Sequence, residues 1–200
     1  NQLEGVDIRY NTTVTKEMIE TEFKDYEIIT TVGATPKEIE AYKVFKQTMT
    51  ADDILSGKKF PGRKIVIIGG GSVGCETADY LAPLINDLFS TNRDITLIEM
   101  SNGLMTGESG ATKSLLTRRM MEKGVKIELN SKITYVDETT IKYEKNNQEY
   151  VLNDVDTLVF AVGYQPISSP IENAHLIGDC QKVGTLKDAI SQAYQITREI

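Results

Sequence analysis

A mixed α/β fold, a parallel sheet carrying an appended antiparallel meander, is predicted by three observations. A continuous β-branched run, Ile65-Val66-Ile67-Ile68, enters the glycine cluster Gly69-Gly70-Gly71, and Cys75 to Leu84 follows with Ala78, Leu81 and Ala82 at helical spacing. A second buried strand, Ile95 to Glu99, and a helical stretch from Ser109 to Lys123 then repeat the alternation of strand and helix that builds parallel sheets. After Gly124 the texture changes to short segments of period-two alternation, which read as a meander.

Before the first of these strands, Val6 to Val14 reads as a strand and Lys16 to Glu22 as a short helix. Tyr26 to Thr31 reads as a buried strand entering Val32-Gly33-Ala34-Thr35-Pro36. Thr50 opens a capped helical turn with Asp53 three residues on, followed by Gly57 and Pro61-Gly62. Pro83 should end or kink the helix that follows the glycines, leaving an insert from Pro83 to Arg93. Gly124 stops the helix over Ser109 to Lys123. The alternating segments are Val125 to Leu129, Lys132 to Val136, Thr139 to Glu144 and Glu149 to Leu152. Thr157 to Ala161 returns to a buried strand, and a helix from about Leu186 to Glu199 closes the chain.

Composition removes several classes of function. A 200-residue chain that is 40% hydrophobic can bury a substantial core. A net charge of −7 with Lys and Arg scattered singly or in pairs argues against nucleic acid or an anionic membrane surface as partner. Apolar runs such as Leu158 to Val162 are too short to span a bilayer, and Asn1 to Gly5 has no signal-peptide character, so a cytoplasmic location is expected. Cys75 and Cys180 form no C-x-x-C, so no redox pair and no metal site is expected. His175 is the only histidine and has no identifiable carboxylate or nucleophile partner, so no residue is assigned to catalysis.

Gly69, Gly71 and Gly74 match G-x-G-x-x-G between a strand and a helix, which points to a dinucleotide. One glycine permits the tight turn, one admits a diphosphate against bare backbone, and one lets helix and strand pack closely. The N–H groups around Ser72 and Val73 would face the diphosphate at the helix N-terminus. Glu99 ends the second strand 25 residues after Gly74, later than the usual ~20 because of the insert, and would accept both adenine-ribose hydroxyls. With no Lys or Arg from Glu99 to Lys113, NADH rather than NADPH is expected. Glu76 has two readings, as a carboxylate compensating the helix dipole or as a group near the nicotinamide. Asp25 to Pro36 and Asp156 to Pro166 both read Asp, apolar strand, Val-Gly-x-x-Pro, which predicts matched crossings between two nucleotide-binding domains.

These residues resemble the flavoproteins with two dinucleotide-binding domains, and most closely the reductase portion of 2-enoate reductases, 2,4-dienoyl-CoA reductases and bile-acid-inducible NADH:flavin oxidoreductases, which are related to old yellow enzyme. The similar segments are Thr50 to Lys58, Ile67 to Leu84, Leu97-Ile98-Glu99-Met100 with Gly107-Glu108-Ser109, and Ile177 to Cys180 with Gly184 to Ile190. The resemblance implies a Rossmann-like FAD/NAD(P)-binding fold. Residues 1–50 would be a partial FAD-domain segment, 51–63 a crossover linker, 64–161 the NADH-binding Rossmann domain and 162–200 a return to the FAD domain. It also implies that Asp179, beside Gly178, bonds the flavin ribitol and that Thr185 and Leu186 head a helix aimed at the flavin or its diphosphate. Gly33 and Ala161 to Gly163 match the family's A-T-G-x-x-P crossings, with Val32 and Val162 standing where the family has Thr.

The family's first G-x-G-x-x-G, the one that holds FAD, has no counterpart in this sequence. The resemblance therefore implies FAD binding only together with an upstream unit. FMN and a 4Fe-4S cluster are expected in an upstream barrel portion of the same polypeptide. The implied activity is hydride transfer from NADH to FAD, for eventual reduction of an activated C=C bond. A non-catalytic dinucleotide-binding module, or part of a pyridine nucleotide-disulfide-type or ferredoxin-type flavin reductase, remains open. Unpaired strand edges near the N-terminus lead to the expectation of a homodimer or partial disorder there.

Overall fold

The computed structural model describes residues 5–83 and 92–200, so most of the insert expected from Pro83 to Arg93 lies outside the described residues. In chain order the elements are α1 (Lys16–Thr21), β1 (Ile29–Thr30), β2 (Ala34–Pro36), β3 (Thr48–Thr50), α2 (Ala51–Leu55), β4 (Lys64–Ile68), α3 (Ser72–Leu81), β5 (Asp94–Ile98), α4 (Gly110–Glu122), β6 (Lys126–Glu128), β7 (Ser131–Val136), β8 (Ile141–Lys145), β9 (Gln148–Leu152), β10 (Thr157–Phe160), β11 (Tyr164–Pro166), β12 (His175–Leu176) and α5 (Leu186–Ile196). They divide into two compact units, one spanning Thr35–Gln165 and the other combining Asn1–Ala34 with Pro166–Ile200.

The unit Thr35–Gln165 is built on a five-stranded sheet in the order β3-β10-β4-β5-β6, with parallel pairing throughout. Ile65–Ile68 of β4 and Leu158–Phe160 of β10 are apolar without a break because both sheet faces are covered. Ile65, Ile67, Leu97 and Val159 pack with Cys75, Ala78, Leu81 and Met120 of α3 and α4. Val66, Ile68, Leu158 and Phe160 pack on the other face with Ile133, Ile141 and Tyr143 of the three-stranded meander β7-β8-β9. The meander thus takes the place that a second helical layer would fill. Its β8–β9 hairpin turns on Asn146 and Asn147, both with positive φ as the tight two-residue turn requires.

The parallel sheet and its antiparallel appendage match the fold expected from the sequence, but several elements differ. Val125 to Leu129 does not open the meander. Its core, β6, lies parallel beside β5, because the 13-residue helix α4 supplies the long crossover that a parallel neighbour needs. The segment Thr139 to Glu144 pairs only from Ile141, since the Asp137 side chain takes the N–H groups of Thr139 and Thr140 into a turn. Helix α3 stops at Leu81 with Ala82 extended, as the residue before Pro83 should be.

Residues 35–63 also belong to this unit. Thr48–Thr50 pairs with β10, and Thr50 then caps α2, whose Ala51 and Ile54 are buried. The repeated Asp also differs between its two copies. Asp156 accepts the N–H groups of Arg63 and Lys64 and so holds the start of β4, whereas Asp25 is exposed. Glycine serves both crossings alike: Gly33 and Gly163 have φ of +80° and +90°, and β2 pairs with β11 just beyond them.

In the other unit, β1 pairs in parallel with β12. The strand expected over Tyr26 to Thr31 is only two residues long there, matching its two-residue partner. Val6 to Val14 forms no strand: Asn11 at φ +52° turns the chain, and Val6, Ile8 and Tyr10 lie exposed.

Asp79, buried on α3, accepts hydrogen bonds from Arg119 Nε at 3.2 Å and Lys123 Nζ at 2.9 Å, tying α3 to the end of α4. Burial pushes its carboxyl upward, but these donors outweigh burial and hold it below the usual carboxylate range. The bridge is therefore complete above about pH 4, the ordinary Asp value, and is lost as pH falls through the depressed folded value. Asp79→Asn is expected to cost about 2–3 kcal/mol at pH 7, less than a fully buried pair because the Arg119 side chain is half in water. Urea unfolding at pH 7 and pH 3 checks this, with the gap to the wild type shrinking at the lower pH; an equal loss at both would contradict the assignment.

Candidate functional site

Strand β4 ends in a turn that leaves no room for a side chain at Gly69, Gly70 or Gly74. Gly69 has φ +104°, and a Cβ there would lie 2.3 Å from the Ala161 carbonyl oxygen. A Cβ on Gly74 would lie 2.0 Å from the Gly69 carbonyl oxygen, so α3 starts directly against the turn. Gly70, which the motif leaves free, is constrained as well, since a Cβ there would meet Leu104 and Glu99 at 2.6 and 2.9 Å. Gly71 is different: nothing lies within 4 Å of a Cβ placed on it. The backbone of Gly71 borders open space at the helix N-terminus.

Glu99 follows β5 and reaches back to this turn. Gly70 N–H donates to its Oε2 at 2.6 Å and Ser101 N–H to its Oε1 at 2.7 Å. Burial raises the carboxyl, but the hydrogen bonds from Ser101 and Gly70 prevail and hold it below its ordinary value. Each oxygen keeps a further lone pair for a ligand hydroxyl. The loop after Glu99 is pinned to the turn as well, by Met105 N–H to the Gly70 carbonyl at 2.7 Å and by Ser72 Oγ to Glu108 Oε1 at 2.7 Å.

A cavity of about 590 Å³ lies along the C-terminal ends of the strands. From the end of β5 it is lined by Glu99 and Met100; from the turn after β4 by Gly69, Gly71, Ser72 and Val73; beyond β10 by Ala161 and Gly163; and beyond β3 by Ala51 and Asp52. In sheet order these ends run β5, β4, β10, β3, a span of three strand spacings or about 14 Å. The chain leaves β4 toward β5 on one side while β10 and β3 lie on the other. This reversal of strand order is the crevice where open α/β sheets hold ligands.

Eight of the residues expected from the sequence therefore meet at one cavity. Gly74 lies beneath it, shaping the turn. Glu76 is exposed and is the fifth residue of α3, beyond the first turn in which a helix dipole acts. Gly33, Gly178, Asp179, Thr185 and Leu186 belong to the other unit. There Asp179 Oδ1 accepts Gly184 N–H at 3.1 Å, Gly178 N–H donates to Gln192 at 2.6 Å, and Thr185 caps α5 in a capping box with Asp188. Leu186 is exposed at the head of α5. His175, also in this unit, lies 3.3 Å from Glu27.

Sequence reasoning missed Asp52, Tyr164 and Lys132, all of which line the cavity. Lys132 was not foreseen by counting forward from Glu99, because it arrives through the meander. Among the described residues, no group of three or more His, Cys, Asp and Glu could hold a metal ion, and no helix is long and apolar enough to cross a membrane.

Comparison with known proteins bears on the family and the fold. The family model of the pyridine nucleotide-disulphide oxidoreductases matches residues 2–192. A cinnamate reductase of Clostridium sporogenes is 30% identical over 98% of this chain, and a metal reductase of Desulforamulus reducens 30% identical over 95%. The chain spans only 30% and 33% of the lengths of those two proteins. Among solved structures, a 2-naphthoyl-CoA reductase complex superimposes over 98% of this chain and 30% of its own, with a TM-score of 0.76 at 22% identity, a likeness of fold. The chain belongs to the pyridine nucleotide-disulphide oxidoreductase family, and within it corresponds to the NADH/FAD-binding part of 2-enoate reductase-like flavoproteins.

Proposed function

We propose that this chain binds NADH in the cavity at the strand ends, as the nucleotide-docking part of a flavin-dependent oxidoreductase that passes hydride from NADH to FAD. The observation that carries the reading is the glycine turn whose N–H groups border open space at Gly71, with the Glu99 carboxylate one strand away. The adenine ribose would lie on Glu99, the diphosphate against Gly71 to Val73, and the nicotinamide over Ala161 to Gly163.

The chain's part in the chemistry is to bind and orient the donor, because cofactors of this kind carry the redox step themselves. FAD, when bound, would accept the hydride. On this chain the residues proposed toward it are Gly33, Gly178, Asp179, Thr185 and Leu186. FMN and a 4Fe-4S cluster would belong to a barrel portion of a longer polypeptide. An activated C=C bond, of 2-enoate or dienoyl type, is proposed as the final acceptor, and the name of one relative, the cinnamate reductase, supports the 2-enoate form.

Three measurements test this reading. NADH is expected to bind about tenfold or more tightly than NADPH, because a 2′-phosphate beside Glu99 meets a like charge that its N–H donors keep ionised. Lys132 opposes this only weakly, its exposed charge being screened. Glu99→Gln should narrow the ratio; tighter NADPH binding by the wild type would contradict the assignment. Gly71→Ala should leave thermal stability within about 0.5 kcal/mol yet weaken NADH binding about tenfold or more, whereas Gly74→Ala should destabilise by about 1–3 kcal/mol. Finally, the chain is mixed with FAD and NADH and flavin absorbance is followed. Bleaching of bound flavin supports a competent reductase, and NADH binding without flavin retention supports a docking module alone.

A further inference from the structure

The end of the cavity farthest from Glu99 in strand order carries a polar pair that the glycine-turn chemistry does not use. Asp52 is the second residue of α2 and Tyr164 the first of β11; both are half-buried, both line the cavity, and the phenol donates to Asp52 Oδ1. Asp52 is not the cap of its helix, since Thr50 and Asp53 form that capping box. Its carboxylate takes no other hydrogen bond among the described residues. The nearby lining, Pro36, Ile39, Ala51 and Val162, is apolar, so the pair is a polar point in an apolar wall. Convergent polar groups of this kind fix ligand orientation in such cavities.

Burial, reinforced by Asp52, pushes the Tyr164 phenol up to about 12, so it remains a neutral hydrogen-bond donor at ordinary pH. With its one proton directed at Asp52, the phenol has only lone pairs left for a ligand, and an ionised carboxylate is acceptor-only. The pair therefore presents acceptors and a negative charge.

Resting on the dinucleotide reading above, we propose that Tyr164 and Asp52 hold the carboxamide NH2 of the nicotinamide ring and so select an amide at that ring position over a carboxylate. An amide NH2 brings two donors to this acceptor pair. A ring carboxylate brings only acceptors and a charge that Asp52 repels. The two residues position the ring; neither exchanges a proton or electrons with it.

The test compares three probes by calorimetry on the full chain: NAD+, its nicotinic acid analogue with a carboxylate for the carboxamide, and ADP-ribose, which lacks the ring. The wild type is expected to prefer NAD+ over the acid analogue by about tenfold or more. Asp52→Asn should bring the two within about threefold, since its amide can donate to the carboxylate, and should leave ADP-ribose affinity unchanged. Tyr164→Phe should weaken NAD+ and spare ADP-ribose. Equal wild-type affinity for NAD+ and the acid analogue would overturn the inference without involving any variant, and so would a ratio that Asp52→Asn does not move. In either case ADP-ribose binding would leave the dinucleotide reading standing. Failure of the wild type to bind ADP-ribose or NAD+ would overturn both.

Discussion

Helix α3 lies against the strand it follows because neither Gly69 nor Gly74 has a side chain. A single methyl on Gly74 would sit 2.0 Å from the Gly69 carbonyl, and one on Gly69 would sit 2.3 Å from the Ala161 carbonyl. These approaches bring the N-terminus of α3, the end of β10 and the Glu99 carboxylate to one place on the sheet edge. If the turn opened by the width of a methyl group, the Gly70–Glu99 hydrogen bond and the loop pinned by Met105 would shift with it. The turn at the centre of the cavity is thus a product of backbone packing, while side chains such as Ile39, Ile133 and Phe160 form the cavity walls.

That dependence explains what could be read from the sequence. The run Ile65 to Ile68 and the glycine spacing are local signals, and the physical demands on them are local too: two covered faces and a turn without Cβ atoms. Glu99 was legible because it follows the next strand in order. Strand β3 was not, since Thr48-Met49-Thr50 carries little pattern of its own and becomes a strand only by pairing with residues 158–160. Asp52, which follows β3, and Tyr164, which pairs through β11 with β2, reach the cavity by the same kind of distant pairing, and Lys132 reaches it because the locally paired meander packs on the sheet. Val6 to Val14 shows the converse error, because alternation without a partner strand does not make a strand.

The electrostatics of the site are local as well. The chain carries a net charge of −7, and Asp52, Glu99 and Glu108 all stand at or beside the cavity. Long-range attraction therefore does not draw an anionic dinucleotide inward. In the proposed binding mode the favourable contacts would be short-range ones, from N–H groups at the start of α3 to the diphosphate and from ribose hydroxyls and the carboxamide to carboxylates. A binding site of this kind discriminates by hydrogen-bond chemistry at each end and uses the uncharged backbone in the middle.

The most direct measurement is a crystal structure of this chain with NADH. The diphosphate is expected within hydrogen-bond distance of the N–H groups of residues 71–73, with the adenine-ribose hydroxyls on Glu99. Nucleotide bound elsewhere, or bound at the cavity with its diphosphate away from the start of α3, would contradict the account.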